Sequence, residues 1–184
     1  MNSSAKVIFK DSLPVLVLCA AISVGAGLAL EINAGLIRML PGILVSIPSF
    51  NQINGAISSV FSSRISSALH IGTIKPIIHP TKTLTRNVFA SLLLALMSFS
   101  SFSLIAWGFN SGIGTVVSGM LSFLAAITVA GLITTSVLIL LSVIFSYAAF
   151  RRNMDPDNIV IPVLTSIGDL LGIVLLFIIS SLIL

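Results

Sequence analysis

The chain is poor in most of what a soluble domain uses. Charged residues occupy 8% of its 184 positions, and only 5 residues are acids. A lone cysteine, Cys19, excludes an intrachain disulfide. His70 and His79 are isolated and read as interfacial residues, not as a metal pair. With 1 Trp, 1 Tyr and no basic run longer than Arg151-Arg152, the net charge of +4 carries no nucleic-acid signature. The positive residues are read instead as determinants of membrane topology. What is plentiful is apolar: 57% of the residues are hydrophobic and the mean hydropathy is +1.19. That balance predicts an all-α, multi-pass integral membrane protein of the cell membrane, solvated by the lipid bilayer, with no soluble domain.

Long apolar runs predict five transmembrane helices, at about 13–36, 40–69, 88–109, 116–145 and 159–184. The first is too long for a signal peptide and lacks a small-residue cleavage site. Ala21, Gly25 and Ala29 give it a small-residue stripe for close packing. Glu31 near its far end is either an interfacial anchor or a pore-mouth residue. The second segment is the least regular. Pro48 interrupts it, and Ser49-Phe-Asn-Gln-Ile-Asn54 is polar for membrane depth. Broken backbone in a membrane is tolerated only inside protein or beside water, so Asn51 and Asn54 are assigned a pore or hinge role. Ser59, Ser62, Ser63 and Ser66 are read as a stripe that permits close packing. Residues 71–87 form the longest polar stretch, and 110–115 an uncharged tight turn.

Charge tests the span count. Lys6, Lys10, Lys75, Lys82, Arg86, Arg151 and Arg152 fall on one side of a five-span chain, and only Arg38 falls on the other. The positive-inside rule then places the N-terminus in the cytoplasm and the C-terminus outside.

The last segment carries one ionisable side chain between Ile159 and Leu184, the carboxylate of Asp169. An acid at bilayer depth costs roughly 2.5–3.5 kcal/mol on insertion scales and is by default a functional residue. Pro162, Thr165, Ser166 and Asp169 share a helical face. Pro162 has no N–H, which frees the carbonyl of Asn158. Gly168 and Gly172 flank the acid in a small-xxx-small pattern that admits another backbone. Thr165, Ser166 and Asp169 together are hard oxygen ligands, suited to Mg2+ or Ca2+.

The run Asp155-Pro-Asp-Asn…Ile-Pro-Val-Leu-Thr-Ser-Ile-Gly-Asp169 resembles the last transmembrane helix of the MgtE-type and solute-carrier magnesium transporters. Ser62-Ser-Arg64-Ile-Ser-Ser-Ala-Leu-His-Ile-Gly72 is similar to that family's Ser-Arg-Leu-Ser/Thr…Gly run. Where the family reads Gly-Asn ahead of the Arg, this chain reads Asn54-Gly55, with Ala56 at the expected Asn. The resemblance implies a single five-helix domain over residues 1–184. It implies a C2 homodimer with a second copy of the chain and a central pore for Mg2+ as the transported ion. Asp169 is then the pore aspartate, Thr165 a contributor one turn earlier and Asp155 an acid at the cytoplasmic mouth. Two such carboxylates at an axis repel each other unless a cation lies between them. Two other readings compete. In one, Asp155 and Asp157 hold a metal against a lipid phosphate in an intramembrane enzyme, a chemistry that wants more acids and a basic group beside them. In the other, Asp169 only pairs helices in a non-transporting subunit. The chain is accordingly read as a transporter and not as an enzyme.

Overall fold

A computed structural model describes residues 3–32, 35, 41–75, 81–114 and 119–184. They form five long helices: α1 (Ser3–Ile32), α2 (Pro41–His70), α3 (Lys82–Gly112), α4 (Met120–Arg151) and α5 (Pro156–Ile183). Each has 28 to 32 residues, so at 1.5 Å per residue each is about 42–48 Å long, more than the ~30 Å of a hydrocarbon core. By length and composition, α3, α4, α5 and the Ser12–Ile32 part of α1 can cross a membrane. Their outer faces leave Leu93, Met97, Ile105, Phe109, Leu121 and Leu140 exposed, a surface suited to lipid and not to water. This is a multi-pass integral membrane protein.

α2 is the least apolar of the five, and its position explains how that is tolerated. It packs against α3, α4 and α5. Its polar side chains at Ser46, Asn54, Ser58, Ser62 and Ser66 are buried inside the bundle. Phe50 of α2 and Phe99 of α3 meet at 5.1 Å between ring centroids. They centre a core that Ile127 of α4 and Leu176 of α5 complete. Gly131 makes this approach possible, since a Cβ there would overlap the Phe99 ring. A second cluster joins Phe61 and Ile65 of α2 to Ile139 and Tyr147 of α4. α1 lies to one side and packs principally on α5.

Several sequence expectations are corrected. The break at Pro48 is not formed: α2 is helical without interruption from Pro41 to His70. Pro48 is exposed beside a cavity, so its ring and the missing backbone bond fall where no neighbouring helix is displaced. α3 begins at Lys82, not at Val88, because Thr81 caps it and accepts a hydrogen bond from the Leu84 N–H at 3.2 Å. It runs through Gly112, so the turn expected from Asn110 begins only at Ile113. Asn110 is instead a buried helical residue whose amide donates to the Ala106 carbonyl at 2.8 Å. On α1, Gly25 faces open space and Ala21 is exposed, so of the expected stripe only Ala29 packs on the core. His70 sits edge-on to Phe150 at 5.4 Å. Arg38 and His79 lie outside the described residues.

Candidate functional site

α5 is fixed at its start by its own acids. Asp155 is the N-cap: its Oδ1 accepts from the Asp157 N–H at 3.1 Å, and its Oδ2 from the Asn158 amide at 3.3 Å. Pro156 follows in the first turn, where a missing N–H costs nothing. Two turns in, the hydroxyls of Thr165 and Ser166 both donate to the Pro162 carbonyl, at 2.8 and 3.1 Å. This leaves the oxygen lone pairs of both hydroxyls free to accept or to coordinate. Thr165 and Asp169 then point one way, and Ser166 is buried on another face of the helix.

Asp169 and Thr165 open onto a cavity of about 610 Å³ between α1, α2 and α5. α2 contributes Asn51, Gln52, Gly55 and Ser59 to its wall, and α1 contributes Ser23 and Gly27. The Asp169 carboxylate meets no hydrogen-bond donor among the described residues. The Asn51 amide donates to the Asp169 backbone carbonyl at 3.3 Å. Asn51 Oδ1 is enclosed and without a partner among the described residues, and it lies where a Cβ on Gly172 would be. Gly172 is thus a requirement of the site: only a residue without a side chain lets Asn51 reach across to α5. Gly55, opposite Thr165, is not constrained in this way: a Cβ there would lie 3.6 Å from Thr165 Cγ2, an ordinary contact.

The wall offers hard oxygen and one negative charge, which suits a cation that keeps water. A six-coordinate aqua ion needs roughly 180 Å³ at ~30 Å³ per water, and the cavity of about 610 Å³ accommodates it with further water. Among the described residues, no three His, Cys, Asp or Glu side chains converge into a closed metal cage.

The remaining expected site residues lie elsewhere. Asn54 is fully buried on the far side of α2. Its Oδ1 accepts from the Thr135 hydroxyl at 2.9 Å and its amide donates to the Phe50 carbonyl at 3.2 Å, so its polar groups are spent within the bundle. Asp155 and Asp157 are 12 to 14 positions before Asp169, about 18–21 Å along the helix. Glu31 is exposed, one residue past the cavity-lining Leu30. The wall residues not anticipated are Gln52, Ser59 and Ser23. The first two had a signal: Pro48, Gln52, Gly55 and Ser59 follow helical spacing on one face of α2.

The MgtE family model, described as divalent cation transporter, matches residues 47–179. That interval holds every α2 and α5 residue of the cavity wall. The chain belongs to the MgtE family of divalent cation transporters. The family is one of transporters, not of enzymes. Similar to the chain is "Solute carrier family 41 member 2" of Xenopus laevis, 31% identical over 151 residues, covering 74% of this chain and 26% of the relative. Its counterpart in Homo sapiens is 29% identical over 167 residues, with the same coverage. The chain spans about a quarter of the length of these curated relatives. The MgtE match begins within α2, leaving α1 outside it.

Proposed function

We propose that the chain moves Mg2+ with much of its water shell, along a pathway at a two-fold axis between two copies. Asp169 is the charged ligand of that pathway, and Thr165 and Asn51 stand beside it. The observation that carries this reading is the Asp169 carboxylate, without a hydrogen-bond donor among the described residues and open to a cavity large enough for a hydrated ion. A single carboxylate binds a divalent ion weakly, and a second copy would supply the second charge. Gln52 and Ala56, exposed on α2 at the cavity, lie where a partner could approach. In this reading residues 1–184 form one domain of five spans, N-terminus cytoplasmic. The polar α2 crosses because its neighbours enclose it. Asp155, at the start of α5, stands at the cytoplasmic mouth and attracts cations over a Debye length. Asp157, Glu31, Asn54 and Ser166 have no ligand role in it: Asp157 lies 12 positions before Asp169 on α5, Glu31 is exposed and outside the cavity wall, and the last two face the bundle interior.

The test is Mg2+ flux into liposomes by purified protein, run beside native mass spectrometry of its assembly. Asp169→Asn keeps the size and removes the charge, so uptake should fall at least about ten-fold while assembly persists. Thr165→Ala should reduce uptake less, since a neutral oxygen binds a hydrated cation more weakly. Full uptake by a well-assembled Asp169→Asn protein would remove Asp169 from the pathway.

A further inference from the structure

Arg64 belongs to the Ser-Arg run of α2, yet it has no place in the cation pathway. It lies on the opposite side of the helix from Asn51 and lines a separate cavity of about 470 Å³ at the α2–α3 corner. Ser63, Ser67, Thr73, Thr83 and Asn87 share that wall. Thr73 spends its hydroxyl on the Ala68 carbonyl at 3.0 Å. The side chains of Ser63, Ser67, Thr83 and Asn87 make no hydrogen bond among the described residues. Among the described residues nothing neutralises the arginine either. Residues 32–154 contain no acid at all, so α2, α3 and α4 carry none. Asp155 lines a different cavity, with His70. Lys75, Lys82 and Arg86, all exposed, add positive charge to the same corner.

We propose that this corner binds the phosphate headgroup of an anionic phospholipid. A guanidinium presents a planar fork of donors that matches phosphate oxygens two at a time, and free hydroxyls complete the cradle. Basic pockets between transmembrane helices are general sites for such headgroups. The choice of a lipid over soluble phosphate comes from the rest of the wall. Val60 and Ile71 line the same cavity and are 48% and 77% exposed. They offer an acyl chain an apolar path that a free anion would not use. The ligand is therefore amphipathic, as is the pocket.

The proposal is independent of the Mg2+ pathway and is tested without it. The full chain is stripped of lipid in neutral detergent. It is then titrated with phosphatidylglycerol or phosphatidylcholine of identical acyl chains, with bound lipid counted by native mass spectrometry. Phosphatidylglycerol should bind about ten-fold tighter or more, and Arg64→Gln should bring it to the phosphatidylcholine level. Arg64→Lys should fall between, keeping charge but losing the fork. Arg152→Gln, at an exposed cation outside this wall, should leave the preference unchanged. Equal binding of the two lipids by the wild type overturns the proposal, as does an unchanged preference in Arg64→Gln. Should Arg64→Gln fail to fold, the wild-type comparison and Thr83→Val decide, the latter expected to lose several-fold. Saturation of the site by millimolar inorganic phosphate, with no competition from phosphatidylglycerol, reassigns it to a soluble anion and also overturns the lipid reading.

Discussion

Replacing Gly172 by alanine puts a methyl group where Asn51 Oδ1 now lies. Asn51 must then withdraw, and its bond to the Asp169 carbonyl at 3.3 Å is lost with it. Three effects set the size of the change. The extra methyl in a filled site costs about 1–3 kcal/mol. The lost interhelical hydrogen bond costs about 0.6 kcal/mol in a membrane bundle. Alanine returns about 1 kcal/mol of helix propensity. The net is a destabilisation of roughly 0.5–2.5 kcal/mol, or a few degrees in midpoint for a chain of this size. Two other glycines serve as controls. At Gly168 the added Cβ meets Leu138 Cδ1 at 3.1 Å, the tip of a flexible side chain, and the change should be near neutral. At Gly25 it meets nothing within 4 Å and should be neutral or stabilising. Thermal unfolding followed by circular dichroism in one detergent measures all three. The decisive variant is Gly172→Ala with Asn51→Ala, in which the space is vacated. There the alanine at 172 should add no further loss to that of Asn51→Ala alone. An undiminished penalty in that background would refute the assignment of Gly172 as the opening for Asn51.

Thr135→Val keeps shape and leaves the buried Asn54 Oδ1 without its donor, and should cost about 1 kcal/mol in the same unfolding assay. In a double-mutant cycle with Asn54→Leu most of that cost should disappear. Gly131→Ala, which drives a Cβ into the Phe99 ring, should lower the midpoint by more than Gly172→Ala, because an aromatic ring in a filled core cannot withdraw as Asn51 can. Asp155→Asn should preserve stability, since Asn caps as well as Asp, whereas Asp155→Ala should lose about 1 kcal/mol. Mg2+ uptake by Asp155→Asn should fall at low ionic strength and recover at high salt, as expected for a charge that only concentrates cations.

The helices were legible because apolar runs long enough to span a bilayer leave little else for the chain to do. Their edges were not. Lys82 to Asn87 reads as loop by polarity, and only the Thr81 cap and an exposed polar face make it helix. Pro48 reads as a break, and nothing local reveals that its outward face makes the missing bond tolerable. Within the site, Asp169 and Thr165 were legible as a polar pair in an apolar helix. The division of labour between Asn51 and Asn54 was not. Three residues apart on one helix, they differ by the partner each meets. Thr135 is 81 positions from Asn54, and Asp169 is 118 positions from Asn51. No local pattern carries that information. Gln52 was missed for a different reason: its spacing from Pro48 and Ser59 was readable once α2 was taken as unbroken.

The docking of α1 on α5 also has a consequence for biosynthesis. α1 leaves the ribosome before the other four helices, and its principal neighbour is the last of them. The start of α5 follows Ile32 by roughly 120 residues, about 6–25 s of translation at 5–20 residues per second. For that interval the face bearing Ala26 and Gly27 has only lipid, or some other protein, to cover it. The cavity that holds Asp169 acquires its α1 wall only once α5 has been made. A nascent chain arrested before α5 should therefore expose the α1 face to cross-linking, and release of the arrest should bury it.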